Sequence, residues 1–336
     1  MTQRHTHSGN ERSGPRLTRR RLVGGALAVG LLAACGDDST DDAAPGGTSD
    51  DGVDPTDGDT TDPETTGAAG ASDDAGDAGP SGEVAAVGTY TLVQRFPQGL
   101  QVPGQLRLPL SLSTGAAELI TDGPDELGAQ VVDIDGNPIG ERISAVRRDT
   151  EPAPYYDFHP TVDDEGFFAL VVDGGPEDGA SFQVANPADV PVPIPGSALP
   201  PFDTPTVDDA RGVDPICTRE PEPCPFHEVT LTEALATGKP VAYYVGTPAF
   251  CSTGSCAPAL ESLIEVQDEF GDAFTFVHAE VYTDLTATEA TGAVEAAGMF
   301  YEPALFVTDA EGTVVERLDA VWDTSELVEV LRRVSG

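Results

Sequence analysis

Two cysteines with four residues between them, Phe250-Cys251-Ser252-Thr253-Gly254-Ser255-Cys256, are the residues in this chain best placed to do chemistry. They follow a short apolar run, Val241-Ala242-Tyr243-Tyr244-Val245, and precede an amphipathic run that begins near Ala257. Strand, tight polar loop and helix start is the arrangement in which alternating α/β folds present reactive groups. N–H groups at a helix start favour a thiolate over a thiol, so the chemistry indicated is thiol–disulfide exchange. A bridge needs Cα atoms within about 7 Å, whereas residues five apart on one helix are separated by about 7.5 Å of rise alone. Cys251 must therefore lie in the loop, and Gly254, tolerant of positive φ, must let it fold back.

A second pair, Cys217 and Cys224, is flanked by Pro215, Pro223 and Pro225, which argue against helix and for a stapled loop. The expectation is a structural disulfide, Cys217–Cys224. A second redox pair that relays electrons to the first is the alternative. The spacing is irregular for zinc and the nearby His227 lacks a fourth partner, so no metal site and no cofactor are expected.

The elements around Cys251 and Cys256 read in the order α, β, α, β, α, β, β, α. A short helix spans 228–237 and is broken by Gly238-Lys239-Pro240; strand 241–245 leads into the cysteine loop. Leu260, Leu263, Ile264 and Phe270 recur at helical spacing, with Glu261, Glu265 and Asp268 opposite. Strand 273–281, a small-residue helix 287–297, a hairpin 303–317 turning at Glu311-Gly312, and a last helix carrying Leu327, Val328, Val330 and Leu331 complete the run.

Residues 226–336 resemble a thioredoxin-fold domain in this order and in three local features. These are the strand leading to Phe250-Cys251, where thioredoxins carry Trp-Cys; the segment Gly298-Met299-Phe300-Tyr301-Glu302-Pro303-Ala304; and the closing hairpin and helix. The resemblance implies that Pro303 is the cis-proline that aligns a partner's backbone, and that Cys251 and Cys256 are the exchanging thiols. Two registers are compatible with it. Counting back from Asp268-Glu269-Phe270 makes Cys256 the family's second cysteine and Cys251 the attacker, with two residues added to the loop, and this register is favoured. Aligning Cys256-Ala257-Pro258-Ala259 with Cys-Gly-Pro-Cys makes Cys256 the attacker. The acid that thioredoxins bury behind the cysteines corresponds to Val245 and is missing. Glu302, before Pro303, faces the cysteines in the resemblance and would either disfavour the thiolate or act as a substitute proton acceptor; the alternative is a side chain pointing into water.

Upstream, Arg19-Arg20-Arg21 ends a basic region, and residues 22–34 are a short apolar segment too brief to span a bilayer as a mature helix. The ending Leu32-Ala33-Ala34-Cys35-Gly36 resembles a bacterial lipoprotein lipobox, which implies a lipid on Cys35 and attachment to the extracytoplasmic face of the cell membrane. Thr18-Arg19-Arg20-Arg21-Leu22-Val23 resembles a twin-arginine export motif, with an ordinary export signal as the alternative. Of five cysteines, Cys35 goes to lipid and four remain where disulfides persist.

Residues 36–84 hold no Lys, Arg, aromatic, Ile or Leu, so they cannot bury enough apolar surface to fold and read as a disordered acidic linker. The 85–185 region shows short strands at 89–93, 105–112, 130–134, 166–172 and 181–184, with Leu106, Leu108, Leu110 and Leu112 on one face and a turn at Asp135-Gly136-Asn137-Pro138. The expectation is an all-β, immunoglobulin-like sandwich domain. Pro109 places its strand at an edge or bulge, and the aromatic cluster Tyr155-Tyr156-Asp157-Phe158-His159-Pro160 reads as core packing. Residues 186–225 are rich in Pro and read as an extended linker carrying the stapled loop.

With 17 basic against 58 acidic residues and a net charge of −41, nucleic acid is excluded as a partner. The functional expectation is a membrane-anchored thiol–disulfide oxidoreductase acting on thiols or disulfides of exported proteins and reset by a membrane redox partner. The alternatives are a non-catalytic binding or structural lipoprotein in which Cys251–Cys256 is a stable staple, and a copper-handling protein with His278 as third ligand.

Overall fold

The computed structural model describes residues 88–336; the leader with Cys35 and the whole of the acidic linker 36–84 lie outside the described residues. Nine strands form first: β1 (Thr91–Gln94), β2 (Gly104–Gln105), β3 (Leu108–Ser113), β4 (Glu126–Asp133), β5 (Pro138–Arg148), β6 (Tyr155–Phe158), β7 (Thr161–Val162), β8 (Gly166–Val172) and β9 (Ala180–Val184). The leucine alternation works as read: Leu106, Leu108, Leu110 and Leu112 enter one core with Tyr156, Phe158, Val131 and Phe182. The β4–β5 turn is held by Asp133, whose carboxylate accepts from the N–H groups of Asp135 and Asn137, with Gly136 at φ +81°.

The all-β expectation holds. The seven longer strands make one antiparallel sheet in the order β1-β3-β6-β5-β4-β8-β9, and β2 pairs with β7. β5 pairs with β4 along most of its length and with β6 through Arg147 and Arg148. Side chains of β3 and β6 and of β4, β8 and β9 line one core. Pro109 departs from expectation, because β3 lies between β1 and β6. It is tolerated as the second residue of its strand, opposite the end of β1, where its carbonyl still accepts from Arg95 N–H at 3.0 Å.

The second half contains α1 (Leu231–Leu235), β10 (Val241–Val245), α2 (Cys256–Phe270), β11 (Thr275–Ala279), α3 (Gly292–Ala296), β12 (Ala304–Thr308), β13 (Val314–Asp319) and α4 (Thr324–Ser335). The sheet order is β11-β10-β12-β13, with β10 and β11 parallel and the other pairs antiparallel. The elements follow the order α, β, α, β, α, β, β, α read from the sequence. Because β10 is covered on both faces, it reads as an unbroken apolar run. Ala242 and Tyr244 face α2 and α4, among Leu260, Leu263, Trp322 and Leu331. Val241, Tyr243 and Val245 face the other way, toward Leu231 of α1 and Ala293 of α3. A capping box between Thr230 and Glu233 starts α1, and Asp323 caps α4 by accepting from Glu326 N–H.

Residues 186–225 form no strand or α-helix, only a 3-10 turn at Pro187–Asp189 and irregular chain, and they are docked rather than free. Val192 and Leu199 are buried in the core shared with β10 and β12. Gly196 N–H donates to Val314 O at 2.8 Å and Leu199 N–H to Gly312 O at 2.9 Å. The expected linker is a strap on the α/β half.

A buried charge cluster joins the two halves. Arg107 donates in a fork to Glu326 of α4, at 2.5 and 2.9 Å, and to the carbonyls of Asp319 and Val321. Asp157 of β6 stands 3.6 Å from the same guanidinium, and the Tyr155 hydroxyl donates to Glu326. Two carboxylates share one guanidinium, so they part. Burial opposes ionisation of Asp157, but Arg107 and a hydrogen bond from His159 hold it down to about 2. Burial pushes Glu326 up to about 7 against the pull of Arg107. A carboxyl whose folded value is raised favours the fold most below its unfolded value of 4.5, and that contribution is lost as pH rises through 7. The urea midpoint is therefore expected to fall from about pH 5 to about pH 8; a midpoint that rises over this range would contradict the assignment.

Candidate redox site

β10 delivers the chain into the loop 246–255, and α2 begins at Cys256. Gly254, at φ +70°, turns the loop back, and its N–H donates to Cys251 O at 3.1 Å. Cys251 and Cys256 are joined as a disulfide across a Cα separation of 5.9 Å. Their environments differ. Cys256 is fully buried, and Tyr244 OH donates to its carbonyl at 2.8 Å. Cys251 is half-buried; its sulfur accepts from Cys256 N–H at 3.3 Å and lies 3.2 Å from the Thr253 hydroxyl. The reachable sulfur is also the one that the helix-start N–H and a hydroxyl would stabilise as a thiolate. This favours the register with Cys251 as attacker and Cys256 as resolving thiol.

The Glu302–Pro303 peptide is cis, and Pro303 opens β12. The same corner brings the Glu302 carboxylate within 4.8 Å of both sulfurs. One of its oxygens is buried without a hydrogen-bond partner. Burial pushes Glu302 up to about 7, against a backbone hydrogen bond from Thr247 and with repulsion from Glu280. The side chain faces the cysteines rather than water.

Glu280 escaped the sequence reading. It follows Ala279, the residue in register with Val245, so a buried acid stands just past the end of the strand beside the one searched. Its Oε1 accepts from Thr218 N–H at 2.5 Å, while Oε2 has no partner. Burial raises it, with His278 opposing. The signal was a glutamate inside the apolar run Phe276-Val277-His278-Ala279-Glu280-Val281.

Cys217 and Cys224 are brought together but not joined, which corrects the expected structural disulfide. An imidazole lies against both sulfurs instead: His278 Nδ1 is 3.7 Å from Cys217 Sγ and 3.2 Å from Cys224 Sγ. The hydrogen bond from Cys224 pushes Cys217 down against burial, with help from both imidazoles, and the same bond with burial pushes Cys224 up. His278 thus belongs to this pair, so it is not the third ligand to Cys251 and Cys256 that the copper alternative required.

A cleft of about 360 Å³ opens beside the disulfide, between Thr253, Tyr301 and Glu302 on one side and Val93, Phe96 and Pro152 of the β-rich half on the other. Phe300, 62% exposed, stands two residues before Glu302.

No family model matches the chain, and no curated protein matches it. One solved structure it is similar to is the crystal structure of a thiol:disulfide interchange protein, a thioredoxin-family protein from Chlorobium tepidum TLS. The identity is 18%, the match covers 43% of this chain and 98% of that one, and the TM-score is 0.30.

Proposed function

We propose that this chain is a thiol–disulfide oxidoreductase that works through Cys251 and Cys256 on the extracytoplasmic face of a membrane. The observation that carries the reading is the asymmetry of the bridge: an accessible sulfur with two donors, a buried sulfur at the helix start, and a carboxyl within 4.8 Å of both. In the reduced chain, Cys251 thiolate attacks a partner disulfide, forming a mixed disulfide and releasing one partner thiolate. Cys256 gives its proton to Glu302, and its thiolate attacks Cys251 Sγ. The second partner sulfur leaves as thiolate, the partner has gained two electrons, and Cys251–Cys256 is closed. A partner dithiol drives the same steps in reverse, with Glu302 as the acid that protonates departing Cys256. The β-rich half supplies the far wall of the cleft in which the partner would lie. Leu32-Ala33-Ala34-Cys35 supports lipid attachment, and an exported protein as partner and a membrane dithiol as resetting agent follow from that placement. Among the described residues no helix is long and apolar enough to cross a membrane.

Exchange between the reduced chain and oxidised glutathione, followed by quenched alkylation against pH, tests the reading. The rate is expected to carry an inflection near 7, the value to which Glu302 is pushed. Glu302→Gln is expected to lower the rate by about 10²-fold or more and to remove that inflection. An unchanged rate and profile in Glu302→Gln would remove Glu302 from the mechanism. Failure of oxidised glutathione to convert the reduced, unmodified chain to the Cys251–Cys256 disulfide would remove the mechanism itself.

A further inference from the structure

We propose that Cys217, Cys224, His227 and His278 form a closed zinc(II) site that anchors the redox loop from behind. The four side chains are all buried, and one donor atom from each lies within 4.8 Å of every other. In a tetrahedral site with Zn–S near 2.3 Å and Zn–N near 2.0–2.1 Å, neighbouring donors stand about 3.4–3.8 Å apart. The two sulfur–Nδ1 separations of 3.2 and 3.7 Å are close to that range.

The imidazoles independently point to a ligand. His227 is 2% exposed, and neither of its ring nitrogens has a hydrogen-bond partner. A buried imidazole in that condition is costly unless something accepts its lone pair. His278 Nε2 is committed to Gly246 O at 3.0 Å, a bond that requires the proton on Nε2 and turns the Nδ1 lone pair toward the two sulfurs. A Cys217–Cys224 disulfide would leave both imidazoles facing sulfurs that offer no proton and no charge. A dication satisfies all four donors at once. Its uptake displaces the protons still held by the two thiols, and the resulting bis-thiolate site is neutral, which suits a buried position. Two thiolates and two imidazoles in tetrahedral array select zinc among the common divalent ions. With four protein donors and no open position, the role is structural.

The site's neighbours say what it supports. Thr218, next to Cys217, gives its N–H to Glu280, its hydroxyl lies 3.4 Å from that of Thr247, and it accepts from Ala249 N–H at 3.1 Å. His278 holds the Gly246 carbonyl. Metal binding thereby clamps the 217–224 segment to the first residues of the loop that carries Cys251.

The full chain, reduced and supplied with zinc and then desalted, is the material for the test. Elemental analysis is expected to find one zinc per chain, with release of thiol protons on binding. Cobalt(II) substitution is expected to give the visible bands of a tetrahedral ion with thiolate-to-metal charge transfer. Cys251→Ser and Cys256→Ser are expected to retain the metal, so the site stands or falls separately from the redox mechanism. His227→Ala is expected to lose it, and His227→Cys to keep it with cobalt bands shifted toward a three-sulfur set. Should His227→Ala fail to fold, the cobalt spectrum of the unmodified chain and the His227→Cys shift decide. Substoichiometric zinc with an octahedral cobalt spectrum would overturn the site. So would recovery of a Cys217–Cys224 disulfide from chain purified with zinc present.

Discussion

Cys251→Ser is expected to abolish disulfide exchange, with a fall of more than about 10³-fold in the rate of reaction with oxidised glutathione. Cys256→Ser is expected to behave differently. It keeps the attacking sulfur, its N–H and hydroxyl donors, and the cleft, and it removes only the group that resolves the adduct. The reduced Cys256→Ser chain should therefore accumulate a stable mixed disulfide, read by intact mass as the addition of one glutathione to Cys251. The physical basis is access: the buried Cys256 sulfur cannot meet a partner in line, whereas the half-buried Cys251 sulfur can. An adduct that accumulates on Cys251→Ser, with none on Cys256→Ser, would reverse the two roles and restore the register in which Cys256 attacks.

Arg107→Ala is expected to cost about 3–5 kcal/mol at pH 8, because it leaves Glu326 and Asp157 buried without their guanidinium. That is a large share of the roughly 5–15 kcal/mol by which such a fold is stable. The loss should be smaller at pH 5, where Glu326 can take up a proton and escape as a neutral acid. Arg107→Met combined with Glu326→Leu should lose less than Arg107→Ala, since it removes one buried charge along with its partner. Urea unfolding followed by fluorescence reads this directly. Trp322 is the chain's one tryptophan, is fully buried, and adjoins Val321, whose carbonyl accepts from Arg107. A loss below about 1 kcal/mol would mean that the fork between β-rich and α/β halves does not form in solution.

Local signals carried the redox loop into view. Two cysteines after an apolar strand and before an amphipathic helix are short-range features, and Glu302-Pro303 lies at the head of a legible hairpin. What could not be read were the consequences of pairing between distant segments. β5 is mostly exposed along its length and alternates poorly, so nothing in Pro138-Ile139-Gly140-Glu141-Arg142 announces the strand that pairs with both β4 and β6. The leucines of β3 identify a strand but not its neighbours, and so Pro109 was placed at an edge. The prolines of 186–225 excluded a regular helix or strand, but they could not reveal that Val192 and Leu199 dock against the sheet. His278 meets Cys217 and Cys224 because its N–H donates to Phe226 O at 3.0 Å, two residues past Cys224. Glu280 follows Ala279, which is in register with Val245. A search along one strand for the missing acid could not find it just past the end of the next.

The reduction potential of Cys251–Cys256, measured on the full chain, bears on the central claim most directly. The chain would be equilibrated in graded dithiol–disulfide buffers, alkylated, and its labelled cysteines mapped by mass spectrometry. The expected result is that Cys251 and Cys256 titrate together as a two-electron couple between about −120 and −270 mV, the span of exchange-active pairs, with the fold intact. A bridge that stays closed below about −300 mV and opens only as the chain unfolds would contradict exchange and make Cys251–Cys256 a staple.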